Sequence, residues 1–363
     1  MSAQRLLPIA CLAGVLVGIQ LGVSATGRAY YLTQLIMSAY YALVVLGLCM
    51  LMGYAGQISL GHGAFFAIGG YTSALLTTRH LASASGAPWA AWLSRAGILM
   101  ERTDPYGKLL VTFSPWLAFL IAMLLTLVIA ATIGYPSLRL RGHYLAMATL
   151  GFGLIIYRVL LGSELFGSAD GISGVPPWRL VPGLAVDGRR EARVANYYIA
   201  WGLVSLALVF LLNLAHSRIG RALRAIHDNE PGAAAMGIDA GRHKLQVFLL
   251  SAVLAACAGC FLTHYNGGIG PSEAGAMKSV RYVALVAAGG MANLWGALVV
   301  STVLNYLSLR GYFGTFDHAV FGVILILIIS LAPDGPLKAI GAWLRRGAAC
   351  LRPERGGVGH GPS

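Results

Sequence analysis

The chain has 363 residues, of which 57% are hydrophobic and only 11% charged. A water-soluble domain carries about 25% charged residues, so this composition excludes an ordinary soluble globule and points to solvation by lipid. The formal net charge of +13 would suit a nucleic-acid partner, but the basic residues sit in short clusters between apolar runs with no face that interleaves them with stacking aromatics, which excludes that class.

Arg5 precedes an apolar run from Leu6 to Val23. Val23-Ser24-Ala25 would suit a signal-peptide cleavage site, but the run is nearer span length than signal-peptide length, so residues 1–29 are expected to form a first span and its connection. No charge occurs between Arg28 and Arg79, which leaves room for two crossings of about 20 residues each. A polar hinge, Gly53-Tyr54-Ala55-Gly56-Gln57, separates them, followed by Ile58-Ser59-Leu60-Gly61-His62-Gly63 and an apolar run to Leu76. Glycines there permit an unwound segment, while Gln57, Ser59 and His62 bring hydrogen-bonding groups into the bilayer. These three are candidates for lining a translocation pathway; helix packing, with the histidine bonded to a neighbouring carbonyl, is the competing reading.

Residues 80–114 form a polar excursion with Trp89, Trp92, Arg95, Glu101, Arg102, Asp104 and Lys108, and its tryptophans suggest a segment lying along the membrane surface. A span is expected over 115–134, closed by Pro136, and another after Arg139 and Arg141, reaching Leu161, with Arg158 placed to snorkel. From Gly162 to Ala195 the chain reads as a turn-rich loop, and Tyr197 to Leu214 as a span.

Ser217 to Lys244 is the long polar island of the sequence. Arg218, Arg221 and Arg224 recur every third residue, with Leu223 and Ile226 on another side of the same helical pattern. Asn229 and Glu230 precede Pro231, which is preset for a helix start, and Gly237 falls where a left-handed stop would close a second short helix. Such an element between spans reads either as a docking knob for a soluble partner or as a loop obeying the positive-inside rule.

Val247 to Leu262 is the next span, followed by a Gly-rich loop with Glu273 and Lys278. Within that span, Cys257 and Cys260 form a CxxC with no nearby ligand, and small residues at that spacing inside an apolar helix are expected to pack rather than bind metal. Arg281 and Arg310 enclose 28 uncharged residues broken at Gly289-Gly290-Met291-Ala292-Asn293. Gly289, Gly290 and Asn293 are further pathway candidates. A final span runs from near Phe316 to Leu331, before a tail over 338–363 with Lys338, Arg345, Arg346, Arg352 and Arg355.

With the 217–244 island on the cytoplasmic side, both termini fall inside if 281–309 crosses as two short helices. The expected fold is therefore all-α and polytopic, with about ten transmembrane helices and broken or re-entrant segments. The glycine-rich stretches at 53–63 and 286–296 occupy comparable positions in the two halves, the pattern of an inverted repeat. All 13 carboxylates fall outside the expected spans. That disfavours a stand-alone ion-coupled secondary carrier, which needs an intramembrane ion ligand. The sequence lacks a GxxxxGK[ST] loop, and no catalytic or metal-binding constellation stands out, so neither nucleotide binding nor a membrane enzyme is supported.

The blocks GYAGQISLGHGAFFAIGGYTSALL at 53–76 and GRALRAIHDNEPGAAAMGIDAGRHKLQVFLLSAVLAACAG at 220–259 resemble the LivM-type permease subunits of branched-chain amino acid ABC importers. LRLRGHYLAMATLGFG at 138–153, GGMANLWGALV at 289–299 and FGVILILIISLAPDGPL at 321–337 support the same resemblance, which covers about residues 30 to 337. It implies a permease domain over 30–337 in a bacterial inner membrane, paired with a second related permease. Two cytoplasmic ATPase subunits would bind ATP and magnesium, and an extracytoplasmic binding protein would deliver a branched-chain or similar small amino acid. Similar permeases carry urea or short amides. The permease itself is expected to be no enzyme and to bind no cofactor directly. The resemblance maps an ATPase-coupling motif onto Glu230, Gly232, Ala233 and Gly237, with Arg221 and Arg224 beside it. Two departures stand out. Pro231-Gly232 replaces an apolar residue and alanine, and Ala292-Asn293 replaces the usual Gly-Ser.

Overall fold

The computed structural model describes residues 3–80, 99–103, 109–137, 143–311 and 317–331. Twelve helices lie among them: α1 Ala3–Ala25, α2 Tyr30–Cys49, α3 His62–Thr78, α4 Pro115–Ser137, α5 His143–Gly162, α6 Arg193–His216, α7 Arg218–Asp228, α8 Glu230–Ala235, α9 Ala240–Asn266, α10 Ala276–Gly289, α11 Leu294–Leu309 and α12 Asp317–Leu331. Among the described residues, the α1, α2, α4, α5, α6 and α9 segments are long and apolar enough to cross a membrane, so the chain is multi-pass. Arg139, Arg141, Trp89, Trp92 and the 338–363 tail lie outside the described residues.

The all-α expectation holds for the bundle but not for its connections. Six short strands pair as three antiparallel ladders: β1 Leu99–Thr103 with β2 Leu109–Phe113, β3 Ile172–Ser173 with β6 Gly268–Ile269, and β4 Trp178–Val181 with β5 Leu184–Val186. The physical reason is that connecting backbone needs hydrogen-bond partners, and neighbouring extended segments supply them.

The core is built around α2, in which every residue from Ser38 to Cys49 is buried, as are Met50 to Gly53 in the π-helical turn that continues it. Around it pack α6, α9 and α11. A helix apolar on all sides belongs either in a core or in lipid, and α1 takes the second course: its 8–25 window is only 6% buried against 89% for the α2 segment. One anchor for α1 is the Tyr197 hydroxyl, which donates to the Leu16 carbonyl at 3.2 Å.

Helices α3 and α9 pack backbone to backbone. A Cβ at Gly69 would run into the Ala256 backbone, and one at Gly259 into the Phe66 carbonyl. Cys260 belongs to this seam, its buried thiol donating to the Gly69 carbonyl at 3.2 Å. The cysteine pair is thus used for packing, as expected of small residues on facing helices. A second polar tie closes the far end, where His264 bonds Ser73 Oγ at 2.8 Å and the Pro176 carbonyl at 2.8 Å.

Gly259→Val should wedge this seam apart and cost about 1–3 kcal/mol, the usual penalty of overpacking. A detergent-solubilised variant should therefore melt several degrees below the parent chain, and an unchanged melting midpoint would refute the close approach.

Candidate functional site

The 217–244 island folds as expected into two short helices. Ser217 caps α7 by accepting from the Gly220 N–H at 3.4 Å. Leu223 and Ile226 are buried, while Arg221 and Arg224 are exposed. Arg224 donates to the Ala215 carbonyl at 3.0 Å and the Gly220 carbonyl at 3.3 Å, placing its charge at the carbonyl end of α6. Arg221 reaches the His216 carbonyl at 3.4 Å and lines a cavity of about 730 Å³ with Arg218, Gly237 and Arg242.

Helix α8 shows why Pro231-Gly232 is tolerated. Asn229 is the cap and its Oδ1 accepts from Gly232 N at 3.0 Å. Pro231 stands in the first turn, where no intrahelical N–H donor is required, so its missing hydrogen costs nothing. At the other end Gly237 adopts φ +81°, with its N–H on the Ala234 carbonyl and the Ile238 N–H on the Ala233 carbonyl. This double bond pattern around a left-handed glycine fixes the stop. Ala233 is buried beneath it, Glu230 is tied to Lys244 at 2.8 Å, and Met236 stands out at 84% exposure on the tip.

The knob is seated on the first helix break. The chain leaves α2 through the π-helical turn Met50–Tyr54, turns at Gly56 with φ +68°, and starts again at His62. A Cβ on Gly56 would lie 2.5 Å from His227 Nδ1, so α7 rests directly on the break. Within the break Ser59 and His62 are wholly buried and Gln57 nearly so. His62 Nε2 lies 2.6 Å from Ser251 Oγ, a packed contact inside the chain.

The second glycine-rich break forms the turn between α10 and α11. Gly289 packs against Ala297 and Gly296, Gly290 takes φ +91°, and Asn293 caps α11 by accepting from Gly296 N at 3.1 Å. Ala292 sits at φ +61°, a conformation that suits glycine far better. The departure from Gly-Ser therefore has a local meaning: alanine carries backbone strain where glycine would not, and asparagine caps as serine would. A Cβ on Gly53 would collide with Ala292. The two breaks thus meet, although they lie more than 200 residues apart.

A further interruption, 267–275, separates a long helix, α9, from a shorter one, α10, as 55–61 separates α2 from α3. Gly63 N donates to Ser279 Oγ at 3.1 Å, so α3 and α10 begin side by side. Their level is set by Ser251, the twelfth of the 27 residues of α9, about 17 Å along it. Glu273 lies in this region, its carbonyl 3.2 Å from where a Cβ of Gly63 would be. Glu273 stays outside the long apolar helices, in the short segment Pro271–Ala274 between α9 and α10, yet its side chain is only 17% exposed. Glu273 and Lys278 pair at 2.8 Å, and Tyr41, Tyr71 and Tyr282 surround them. Sequence reading had no reason to join these residues; the glycines at 267, 268, 270 and 275 after a long apolar helix are the signal that marks the break.

Among the described residues no group of His, Cys, Asp or Glu side chains could hold a metal ion. Residues 30–329 match the protein family described as "Branched-chain amino acid transport system / permease component". The chain is 29% identical over 335 residues to the "High-affinity branched-chain amino acid transport system permease protein LivM" of Escherichia coli (strain K12), an alignment covering 85% of this chain and 71% of that protein. It is 25% identical over 328 residues to the LivH permease protein of the same strain, covering 85% and 96%. It is also 26% identical over 170 residues to the "Fructose import permease protein FrcC" of Rhizobium meliloti, covering 43% and 44%. No solved structure matches the chain.

Gly56→Val should lift α7 off the break, whereas Gly27→Val, at φ +65° in open space, should carry only the backbone strain. Amide exchange over 220–228 should accelerate about tenfold, equivalent to about 1.4 kcal/mol of local stability, in the first variant only. Equal exchange in the two would show that His227 and Gly56 are mere neighbours.

Proposed function

The chain belongs to the branched-chain amino acid transport system permease family, and on that premise we propose that it is one of two related permeases in an ATP-driven importer. Two cytoplasmic ATPase subunits carry ATP and magnesium and dock at Ser217–Lys244, while an extracytoplasmic binding protein delivers the solute. The chain sits in a bacterial inner membrane with both termini in the cytoplasm. The substrates are branched-chain amino acids, the cargo named for the LivM and LivH relatives.

The observation that carries this reading is the build of the knob. Its two helices are capped at Ser217 and Asn229, stopped at Gly237, and stapled by Glu230–Lys244, so they move as a unit. An ordinary positive-inside loop has no need of such rigidity. Exposed Met236 at the tip supplies an apolar contact, and the Arg218, Arg221 and Arg242 cavity beside it favours acidic groups on a partner. Through His227 on Gly56, a push on the knob reaches the 55–61 break and the start of α3. Gln57, Ser59 and His62 are on that route, so their role is to transmit the movement and line the pathway once the break rearranges; Gly289, Gly290 and Asn293 hold the adjoining turn.

A secondary carrier finds less support. Glu273 is paired with Lys278 at 2.8 Å rather than standing as a lone carboxylate of the kind an ion-coupled carrier uses.

Gly237→Val should disrupt the stop, since a β-branched residue is strained at φ +81°. ATPase co-purification and substrate-stimulated ATP hydrolysis should both fall in the reconstituted complex. Unchanged assembly and uptake would sink the docking role.

A further inference from the structure

The densest polar chemistry inside the bundle lies where α3 and α10 start together. Glu273 Oε1 accepts from Lys278 Nζ at 2.8 Å and from the Tyr41 hydroxyl at 3.2 Å, and Lys278 Nζ donates to that hydroxyl at 3.1 Å. The Lys278 ammonium also stands 4.6 Å from the centre of the Tyr41 ring. The pair is partly exposed, the Lys278 and Glu273 side chains at 30% and 17%, and an ion pair open to solvent adds little to stability. Stability alone therefore does not account for this pair.

The surrounding groups point to a solute. Glu273 Oε2 and the hydroxyls of Tyr71 and Tyr282 are buried and without hydrogen-bond partners, and both tyrosines are only 1% exposed. Both phenols lie within electrostatic reach of the Glu273 carboxylate. Two unused phenol donors thus flank an ammonium and a carboxylate with one oxygen still unpaired, beside the N–H end of the 14-residue α10. Buried Ala67 and Ala274 pack with Tyr71 on one side, so aliphatic side chains adjoin the charges.

We propose that this cluster receives the head group of a zwitterionic amino acid in transit, Glu273 taking the ammonium and Lys278 with the Tyr71 and Tyr282 hydroxyls taking the carboxylate. The assignment rests on the amino-acid import reading above and adds the place and polarity of recognition. Between passages, Lys278 and Tyr41 occupy Glu273 and stand in for the substrate ammonium. A solute with only one of the two charges leaves half of the cluster unmatched, so an amine or a carboxylic acid with the same side chain should not be carried.

The test uses the complete importer in lipid vesicles with its binding protein and labelled leucine. Tyr71→Phe, Tyr282→Phe and Glu273→Gln should each lower uptake about tenfold or more, the loss expected when a buried polar site goes unmatched. The two phenylalanine variants should keep or raise the melting midpoint, since each removes an unpaired buried hydroxyl. The exchanged pair, Glu273→Lys with Lys278→Glu, should assemble yet remain inactive because its polarity is reversed. Full uptake in both phenylalanine variants, or uptake restored by the exchange, would overturn the proposal and leave a structural ion pair. If Glu273→Gln fails to assemble, the phenylalanine variants decide. A wild-type importer that carries some other solute and no amino acid would overturn the import reading itself, and the head-group assignment with it.

Discussion

Unwound backbone inside a lipid-solvated bundle must find every hydrogen-bond partner within the protein, and the rest of this structure depends on how that demand is met. Two interruptions raise it, 55–61 and 267–275, each between a long helix and a shorter one that begins inside the bundle. Thr149 Oγ1 accepts from Leu60 N at 2.9 Å and Ser279 Oγ from Gly63 N at 3.1 Å, so helices α5 and α10 satisfy the first break from the side. At the second, β6 pairs with β3 and the chain then turns through a short 3₁₀ segment, Pro271–Ala274. The same need that draws these elements together leaves Glu273 and Lys278 beside Tyr41.

The breaks also explain how a surface element is mechanically joined to the interior. His227 of α7 rests on Gly56, Gly53 touches Ala292, and Gly63 is hydrogen-bonded to Ser279. The Gly53 contact is backbone against backbone and the Gly63 one backbone against a short side chain, while at Gly56 the backbone meets the His227 ring. Glycine supplies the necessary proximity, and at Gly56 and Gly237 it also supplies a left-handed conformation. Ala292 holds the same kind of conformation without that freedom, which marks its turn as a strained point beside the first break.

Much of the knob was legible in the sequence because it is built from local rules. Asparagine before a proline, a glycine at the stop and apolar residues on one side of α7 specify two short helices without reference to anything distant. The hinge at 53–57 was legible for the same reason, since glycines and polar residues interrupt an apolar run. The cluster of Tyr41, Tyr71, Glu273, Lys278 and Tyr282 was not, because its members come from three separated segments and 273–278 reads locally as a loop. Glycine content marks close approach as well as helix interruption, and 286–296 holds the turn against which Gly53 packs.

By itself the sequence determined the medium, the rough bounds of the long apolar segments, and the place of the polar knob, since these follow from composition and short-range periodicity. Tertiary structure alone decided which of two equally apolar helices is central. Helix α2 is buried on all sides and α1 largely faces outward, although their compositions are similar. It also decided that a glutamate and a lysine from an apparent loop enter the bundle. Burial in lipid and burial in protein demand the same apolar side chains, so hydropathy cannot separate them; only close packing, set by glycines on facing helices, can.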